Sequence, residues 1–542
     1  MSFKASSIPP YLLCLLGGVF YALGFPSKSM PQFFLFPTIG TGLFFYFAYV
    51  QKDPSSNFWR KYRYLFFYSL GLTFTGFYWI PRTLHVFGEL PLIVSFLLGG
   101  LFALIVLPQH LFFLLLGQYV KRIPFRETKA FYLMKEPLFL SLVLTLLELY
   151  IPQQFPAHLG HPWLQLAPYI GLAPIVGSPG FSFISYLLIF TVLFFIKQKR
   201  VLKLESSIIV IFLALNLATP LSWDKQSNSI NIRMVQANIG NMMKLDSEKK
   251  IGNATQYVID TYKQMSLVSP NEPIDLIIWP ETAYPNQLTS HVLSKYPELT
   301  PKLFRDVPTL ADADLYFGGY DSSNKARSRW FQAEYNAGFF FTKDGNFQEV
   351  YHKRKLIPFG EGLPFGPLNP TIGKFIDNIS FFAQGERFPT FTTSTDLKFI
   401  SAICYEVLFT RFIRSYYNSI SETPHFMINV TNDSWYDDTS EPLQHLFLAK
   451  WRALEFQVPI IRMTNTGISS ILYPDGSESE RSKVFTKKTI DLPLYTKENP
   501  DATIYQRHGL LILFLLAIVG IIFRLKFSSL KKSLPSKDHG SV

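Results

Sequence analysis

The chain has 542 residues, enough for more than one domain, and a formal net charge of +12. Its two cysteines are too few for a disulfide framework, which excludes the small disulfide-stabilised folds. The apolar fraction of 48% is ordinary as an average, but the apolar residues are concentrated in residues 1–220 and in one stretch near the end. This distribution predicts a membrane part and a soluble part.

Eight apolar segments approach the length of about 20 residues that a helix needs to cross a bilayer. They span residues 9–25, 33–50, 64–80, 91–117, 137–151, 177–196, 206–221 and 509–523. The first could be mistaken for a signal peptide, but no small-residue cleavage site follows it, so we interpret it as a retained span. The expected domains are seven transmembrane helices in 1–221, a soluble domain in 222–507, an eighth transmembrane helix in 508–524 and a basic tail in 525–542.

Basic residues set the expected orientation of these spans. They are concentrated in alternate loops and in the tail, for example Lys61, Arg63, Lys121, Arg122, Lys197, Lys199, Lys531 and Lys532. Loops rich in lysine and arginine face the cytoplasm. We therefore expect both termini on the cytoplasmic side and the soluble domain on the outer side. The same placement accounts for the net charge and argues against a nucleic-acid partner.

From residue 231 the sequence pattern changes. Short β-branched runs at 232–237, 276–279, 399–403 and 426–430 alternate with amphipathic stretches such as 443–456. Strands alternating with helices predict an α/β domain, whose functional residues lie in loops at strand ends. On the helix expected at 443–456, Arg452 and Glu455 are three residues apart, and we expect them to pair.

Three strand ends in this domain carry reactive or charged side chains. Glu281 follows the second run, Lys353 precedes a turn that leads to Glu361, and Cys404 directly follows the third run. A cysteine that ends an apolar strand is by itself commonly buried and inert. A thiol becomes nucleophilic beside a base or a cation, and an acyl-transfer intermediate needs positive charge where its oxyanion forms. Together these residues predict catalysis through an acyl group bound to Cys404.

The sequence motifs around these residues are similar to those of a known superfamily. Trp-Pro-Glu-Thr at 279–282, Tyr-x-Lys-x-x-Leu-x-Pro-Phe-Gly-Glu at 351–361 and Ile-Cys-Tyr-Glu at 403–406 resemble motifs of the carbon–nitrogen hydrolase (nitrilase) superfamily. Residues 432–436, 444–445, 452–455 and 462–468, and Gly-His-Pro-Trp-Leu at 160–164, extend the resemblance. With its expected helices, the chain resembles the apolipoprotein N-acyltransferases of Gram-negative bacteria over essentially its whole length.

The resemblance implies a polytopic α-helical membrane domain of about eight helices and an α/β domain folded as a nitrilase-like four-layer αββα sandwich. It implies that Glu281 is the general base, that Lys353 stabilises the tetrahedral intermediate and that Cys404 is the nucleophile. The further residues that it implicates are Glu361, Tyr405, Glu406 and Trp435 near the site, and His161, Trp163 and Phe359 as contacts to lipid or substrate. His161 stands where the family has phenylalanine, and Leu245 where it has tryptophan.

The reaction that this resemblance implies has two substrates. A membrane phospholipid gives an acyl chain to Cys404, and the thioester passes it to the α-amino group of the diacylglyceryl-cysteine that begins an apolipoprotein. The implied location is the bacterial inner membrane, with a periplasmic catalytic domain; we expect a monomer with no cofactor, and the sequence has no Cys/His cluster to hold a metal. Two alternatives stay open: a membrane-tethered nitrilase-type amidase that uses water, and a paralogue that binds lipoproteins without catalysis.

Overall fold

The computed structural model describes residues 9–51, 57–86, 90–104, 106–120, 136–224, 229–326, 332–358, 360–362, 382–520 and 522. It contains two parts. The helical domain comprises the described residues up to 224 together with a helix near the C-terminus, and the α/β domain comprises those of 229–508.

The helical domain begins with helices that pack very closely. Those that precede the α/β domain in the described residues are α1 (Pro10–Ala22), α2 (Phe36–Phe45) with a π-helical extension (Tyr46–Val50), α3 (Phe58–Gly76), α4 (Trp79–Val86), α5 (Leu92–Phe102), α6 (Pro108–Val120), α7 (Pro137–Tyr150), α8 (Ala173–Gln198) and α9 (Lys203–Ala218). Glycines let α1 approach α3, because a Cβ on Gly18 would lie 1.8 Å from the carbonyl oxygen of Tyr68 and one on Gly71 would lie 2.1 Å from that of Leu15. Small residues at such crossings are typical of helices that pack in membranes.

In the described part of the chain, α8 is the one helix both long and apolar enough to cross a membrane. Helices α1, α2 with its extension, α5, α7 and the helix Leu511–Gly520 are apolar but shorter. The count of eight spans therefore stays a prediction. The segment 91–117, expected as one span, contains the two helices α5 and α6, because Pro108 lacks a backbone N–H and begins a new helix.

The α/β domain is built on two sheets. Its strands are β1 (Ser229–Gln236), β2 (Leu276–Ile278), β3 (Gln287–Leu288), β4 (Asp314–Ala326), β5 (Gln332–Phe341), β6 (Phe347–His352), β7 (Phe391–Thr392), β8 (Lys398–Ile403), β9 (Phe426–Thr431), β10 (Ile460–Thr464), β11 (Ser470–Leu472) and β12 (Lys488–Tyr495). The first sheet has the order β12-β1-β2-β4-β5-β6 with β3 beside β4, and the second has the order β11-β10-β9-β8-β7. Its described helices, with the one that follows it, are α10 (Asn241–Glu248), α11 (Ala254–Ser266), α12 (Ser290–Lys295), α13 (Lys302–Ala311), α14 (Thr410–Tyr417), α15 (Glu441–Phe456), α16 (Ile504–His508) and α17 (Leu511–Gly520).

The alternation of side chains along the strands creates the layers. In β2, Leu276 and Ile278 belong to the core between the sheets, whereas Ile277 packs on the opposite face with residues of α11 and α13. Phe340 of the first sheet and Phe399 of the second have ring centroids 5.2 Å apart, so the sheets share one core. Helix α15 contacts the second sheet at β10. The order helix, sheet, sheet, helix confirms the predicted four-layer sandwich.

Strand direction brings the predicted site residues to one region. Strands β2 and β4 are parallel, β5 is antiparallel to β4, and β6 is antiparallel to β5, so β2 and β6 run the same way. Glu281 follows β2 and Lys353 follows β6 directly, both at the carboxyl ends of their strands. In the second sheet β8 and β9 are parallel, and Cys404 follows β8.

Helix α15 and the turn after β8 connect the α/β domain to the helical domain. The indole N–H of Trp79 donates to Gln444 Oε1 at 3.1 Å, and that of Trp451 donates to the carbonyl oxygen of His161 at 2.9 Å. The hydroxyl of Tyr405 donates to the carbonyl oxygen of Gln153 at 3.2 Å. Since Tyr405 follows Cys404, the end of β8 lies close to the boundary between the two domains.

Candidate active site

Cys404 lies at a sharp change of backbone direction. It directly follows β8 and begins a 3-10 turn, Cys404–Leu408, with a φ of +52° in the left-handed region. This conformation costs a non-glycine residue about 1 kcal/mol and is found where the surrounding structure holds it. The side-chain amide of Asn429 donates to the carbonyl oxygen of Cys404 at 3.4 Å, and Cys404 is 5% exposed. The thiol is thus presented from a fixed turn and is almost buried.

Two carboxylates hold the ammonium group of Lys353. Its Nζ is 2.7 Å from Glu361 Oε1 and 3.2 Å from Glu281 Oε1, and Lys353 is fully buried. Burial by itself would lower the pKa of Lys353, but Glu281, Glu361 and Cys404 raise it, and the net direction is upward. The ammonium is therefore charged at neutral pH. It has three N–H groups, so the two carboxylates leave the third for another acceptor.

Neighbouring groups fix the position of the Glu281 carboxylate. Oε1 accepts the side-chain N–H of Asn336 at 2.8 Å, and Oε2 accepts the backbone N–H of Asn432 at 2.9 Å. The loop of Glu281 crosses β4 at Gly318, where a Cβ would lie 2.6 Å from the Cα of Glu281. Sequence reasoning missed Asn336. One signal was available: Asn336 is an amide residue in β5, where the residues around it are mostly aromatic, alanine or glycine.

Glu406 joins the segment after β6 to the end of β8. Its Oε1 accepts the backbone N–H groups of Arg354 and Lys355 at 2.7 and 2.8 Å, and its Oε2 accepts the Tyr351 hydroxyl at 2.8 Å and the Ile403 N–H at 2.9 Å. Burial raises the pKa of Glu406 despite these bonds. Because both oxygens are occupied, Glu406 orients the segments that carry the lysine and the cysteine.

The charges around Cys404 act on its thiol in opposite directions. Burial raises the pKa of Cys404 well above its ordinary value, Glu281 raises it further, and Lys353 lowers it. The thiol is therefore protonated in the resting site and must lose its proton when it attacks. A carboxylate and an ammonium beside it are the groups that such a step requires.

A second lysine, which sequence reasoning missed, lies beside Glu281. Lys244 of α10 donates from Nζ to Thr282 Oγ1. Both residues line a small pocket, partly open to solvent, with Glu281 and Asn465. Burial lowers the pKa of Lys244, while Glu248, Glu281 and Cys404 oppose this shift. A lysine on a short polar helix gives no pattern that separates it from solvent-exposed lysines, so the sequence contained no usable signal.

A buried cluster of charged groups lies on the backbone side of Cys404, near its carbonyl oxygen. His445 Nδ1 is 3.3 Å from Asp433 Oδ1 and 3.5 Å from Glu441 Oε1, and Arg462 Nη2 is 2.9 Å from Asp433 Oδ2. Asp433, Glu441 and His445 could present three ligand atoms to a metal ion within 4.8 Å of one another. Arg462 already supplies a positive charge there, so we interpret the cluster as an ion-pair network. His445 Nε2 is 3.4 Å from the carbonyl oxygen of Cys404.

The pKa values of this cluster are strongly perturbed. Burial, followed by the charge of Asp433, raises the pKa of Glu441 to about 7. Burial and Arg462 would lower the pKa of His445, but Asp433 and Glu441 raise it above its ordinary value. Asp433 and Glu441 therefore favour the protonated form of His445, which agrees with a positioning role rather than that of a free base.

The other predicted site residues occupy varied places. Tyr405 lies at the domain boundary, and Trp435, in a 3-10 turn (Asp433–Tyr436), is 43% exposed. His161 and Trp163 are buried in the helical domain, where Trp163 donates to Ser185 Oγ at 2.9 Å and His161 stacks on His158. Their contact with lipid stays a prediction. Phe359 lies outside the described residues.

Comparisons with known proteins divide the chain as the structure does. A model of the carbon-nitrogen hydrolase family matches residues 231–492, and one of the apolipoprotein N-acyltransferase N-terminal domain matches residues 17–195. The apolipoprotein N-acyltransferase of Bdellovibrio bacteriovorus is 31% identical over 506 residues, 87% of this chain and 87% of that protein. That of Rickettsia bellii is 29% identical over 547 residues, 98% of this chain and 99% of that protein.

Among solved structures, an amidase from Nesterenkonia sp. overlaps 52% of this chain and 94% of that chain, at 15% identity and a TM-score of 0.35. This likeness is too low to carry an argument. The fold assignment rests on the two sheets and on the family model that covers them. The sequence relatives match both domains and extend over most of their own lengths. The chain therefore belongs to the apolipoprotein N-acyltransferase family.

Proposed function

We propose that this protein transfers an acyl chain from a membrane phospholipid to the α-amino group of an apolipoprotein's N-terminal diacylglyceryl-cysteine. The observation that carries the proposal is that Cys404 lies at a left-handed backbone position, where the opposing charges of Glu281 and Lys353 both act on its thiol. The site also lies at the boundary with an apolar helical domain, where lipid substrates would arrive. The printed names of the sequence relatives agree with this activity.

In the first half-reaction Cys404 attacks an ester carbonyl of the phospholipid. Glu281 takes the thiol proton, the sulfur–carbon bond forms, and the third N–H of Lys353 donates to the oxyanion. The carbon–oxygen bond of the ester then breaks. Glu281 returns the proton to the departing alkoxide, and a lysophospholipid leaves an acyl thioester on Cys404.

In the second half-reaction the neutral α-amino group of the lipoprotein attacks the thioester carbonyl. Glu281 accepts the amine proton as the nitrogen–carbon bond forms, and Lys353 again holds the oxyanion. The carbon–sulfur bond breaks and the thiolate of Cys404 recovers the proton. The product is an amide, which does not exchange with thiols, so the transfer proceeds in one direction.

Exposed apolar side chains support a membrane location for the helical domain. Large apolar residues are solvent-exposed along α5, α9 and α17, among them Ile93, Val210 and Val519, which are 75%, 63% and 63% exposed. Continuous apolar surfaces of this kind mark contact with a membrane or a partner. We infer that lipid covers these helices in the bacterial inner membrane and that the α/β domain lies on the periplasmic side, as the basic loops predict.

The test follows the acyl group. Purified protein in detergent receives phosphatidylglycerol with a labelled acyl chain, and a diacylated lipopeptide is added afterwards. We expect label on Cys404 first and on the peptide amine second, with no label in a Cys404→Ala variant that stays folded and membrane-inserted. Retained transfer by that variant would remove Cys404 from the mechanism. Hydrolysis of soluble amides without dependence on phospholipid would favour the amidase alternative, and absence of any thioester would favour a binding protein.

A further inference from the structure

Two cations at the domain boundary are held by aromatic rings. Lys355 Nζ is 4.0 Å from the ring centroid of Phe409, and the guanidinium carbon of Arg411 is 3.9 Å from that of Tyr150, the last residue of α7. Cation–π contacts position a cation without neutralising its charge. The two side chains thus present positive charge where the α/β domain meets the end of an apolar helix.

Among the residues that the structure describes, neither Lys355 nor Arg411 forms an ion pair with an acidic side chain; the ion pairs there are formed by other residues. Glu406, which acts on Lys355 through its charge, has both oxygens occupied by four donors. Burial lowers the pKa of Lys355, Glu406 opposes this, and the nearby charge of Arg411 lowers it further. Among the described residues neither cation forms an ion pair, and the two are close enough to repel each other.

A short chain of contacts connects these cations to the nucleophile. The ring of Phe409 lies 4.7 Å from that of Tyr405, centroid to centroid, and Tyr405 follows Cys404 directly. Arg411 lies in the first turn of α14, immediately after the turn that Cys404 begins. Both cations are thus connected to the segment that begins at the nucleophile, Lys355 through ring contacts and Arg411 along the chain.

We propose that Lys355 and Arg411 bind the phosphate of the phospholipid headgroup and so select the acyl donor. This inference rests on the proposed function. In a glycerophospholipid the phosphate is a few bonds from the ester carbonyls, so one molecule can place its phosphate on the cations and its ester at Cys404. Arginine binds phosphate through two parallel N–H donors, and lysine adds a point charge.

Lys355 and Arg411 would not bind the lipoprotein acceptor. The diacylglyceryl-cysteine of a lipoprotein carries two esters but no phosphate, so it has no group for Lys355 and Arg411. The pair therefore discriminates between two lipids that both enter from the membrane and both carry ester-linked chains. Without that distinction the acceptor's own esters would compete for Cys404.

The test separates donor binding from chemistry. Full-length protein in mixed micelles carries Lys355→Gln, Arg411→Gln or both, and initial rates of thioester formation are measured against phosphatidylglycerol concentration. We expect KM for phosphatidylglycerol to rise about tenfold for each change, which corresponds to about 1.4 kcal/mol, because each change removes a charge-assisted contact to the phosphate; kcat should stay unchanged. Lys355→Arg should restore most of the affinity. With a p-nitrophenyl acyl ester, which has no phosphate, all variants should match the unmodified protein.

Matched controls come from exposed cations that pair elsewhere. Lys343 pairs with Asp312 at 3.3 Å and Arg481 with Glu478 at 2.7 Å, and glutamine at either position should leave both donors' kinetics unchanged. An unchanged phospholipid KM in the double variant, or an equal loss with the p-nitrophenyl ester, would overturn the proposal. Inhibition by inorganic phosphate below the donor's KM would make this a free-phosphate site instead. Failure of the unmodified protein to form a thioester with either donor would contradict the proposed function itself.

Discussion

Lys353 and Glu281 shift the pKa of the Cys404 thiol in opposite directions. Their roles can therefore be distinguished by experiment. The charge of Glu281 raises the pKa of Cys404, and that of Lys353 lowers it. Removing either group should stop acyl transfer, but the ionisation of the thiol should move in opposite directions. Activity alone cannot distinguish a base from an oxyanion donor, whereas the reactivity of the thiol can.

We therefore predict opposite alkylation rates for two inactive variants. Glu281→Gln should lower the pKa of Cys404 and speed its reaction with iodoacetamide, while thioester formation falls by about 10²–10⁴ because the base is lost. Lys353→Ala should slow alkylation and lower thioester formation by about 10²–10³. The alkylation rates of both variants are measured in a Cys14→Ala background, since Cys14 is the other cysteine of the chain. Shifts in the same direction would refute these assignments.

A companion substitution checks which lysine is catalytic. Lys353 and Lys355 are two residues apart, and of these two lysines Lys353 is the one that pairs with Glu281 and Glu361 in the described structure. At saturating phospholipid, Lys355→Ala should keep its rate of thioester formation, whereas Lys353→Ala should not. The reverse result, measured with the same labelled donor, would mean that the roles of the two lysines are exchanged.

The acid–histidine cluster predicts a pH dependence of stability. Burial raises the pKa of Glu441 from 4.5 to about 7, so the folded protein binds this proton more tightly than the unfolded chain. The stability that this gives is full below pH 4.5 and is lost as the pH rises through about 7. Glu441→Gln cannot lose a proton, so its melting temperature should fall less between pH 5 and 8. An identical decline in thermal scans of both proteins would contradict the assignment.

At the level of elements, Glu455 of the α/β domain connects the two domains, because its carboxylate caps helix α8 of the helical domain. Gly177 has a φ of +61°, so the regular part of α8 begins at Ser178. The backbone N–H and hydroxyl of Ser178 donate to Glu455 Oε1 at 2.8 and 2.6 Å, and Thr410 donates to Oε2 at 2.7 Å. A carboxylate at a helix N-terminus satisfies free N–H groups and favours the helix dipole.

Removing this cap should destabilise the protein strongly. Arg452 Nε is 2.8 Å from Glu455 Oε2 and both are buried, so Glu455→Ala leaves a buried cation without its partner. We expect a loss of about 3–5 kcal/mol in the free energy of unfolding, measured by thermal scans in detergent. Glu480 pairs with Lys488 at 3.0 Å on the surface, and Glu480→Ala should cost no more than about 1 kcal/mol. Equal losses would show that the cap contributes little.

Elements and motifs were predictable to different extents. The alternation of β-branched runs predicted β2, β8 and β9, and the resemblance predicted the sandwich that contains them. The i, i+3 pairing of Arg452 with Glu455 is confirmed. Asn336 could not be predicted as a partner of Glu281, because 55 residues separate them and strand pairing alone brings them together. The break between α5 and α6 was missed because both halves are equally apolar, although Pro108 marks it.

At the scale of the whole molecule, the apolar surface of the helical domain and the basic loops point to one arrangement. In the proposed arrangement lipid surrounds α5, α9 and α17, and α15 holds the α/β domain on the helical domain through Gln444 and Trp451. The same proposal puts the active site at the membrane surface, on the side opposite the basic loops. In that arrangement both proposed lipid substrates would reach Cys404 without leaving the bilayer.

The orientation of the whole molecule can be tested with single cysteines. Replacing Cys14 and Cys404 by alanine gives a cysteine-free chain, into which Lys197→Cys at the end of α8 or Lys343→Cys in the α/β domain is introduced, both at exposed positions. In intact spheroplasts an impermeant maleimide should label Lys343→Cys at once and Lys197→Cys only after permeabilisation, because lysine-rich loops stay in the cytoplasm. Labelling of both from the same side would show that an even number of membrane crossings separates them and would refute the predicted span between Lys197 and the α/β domain.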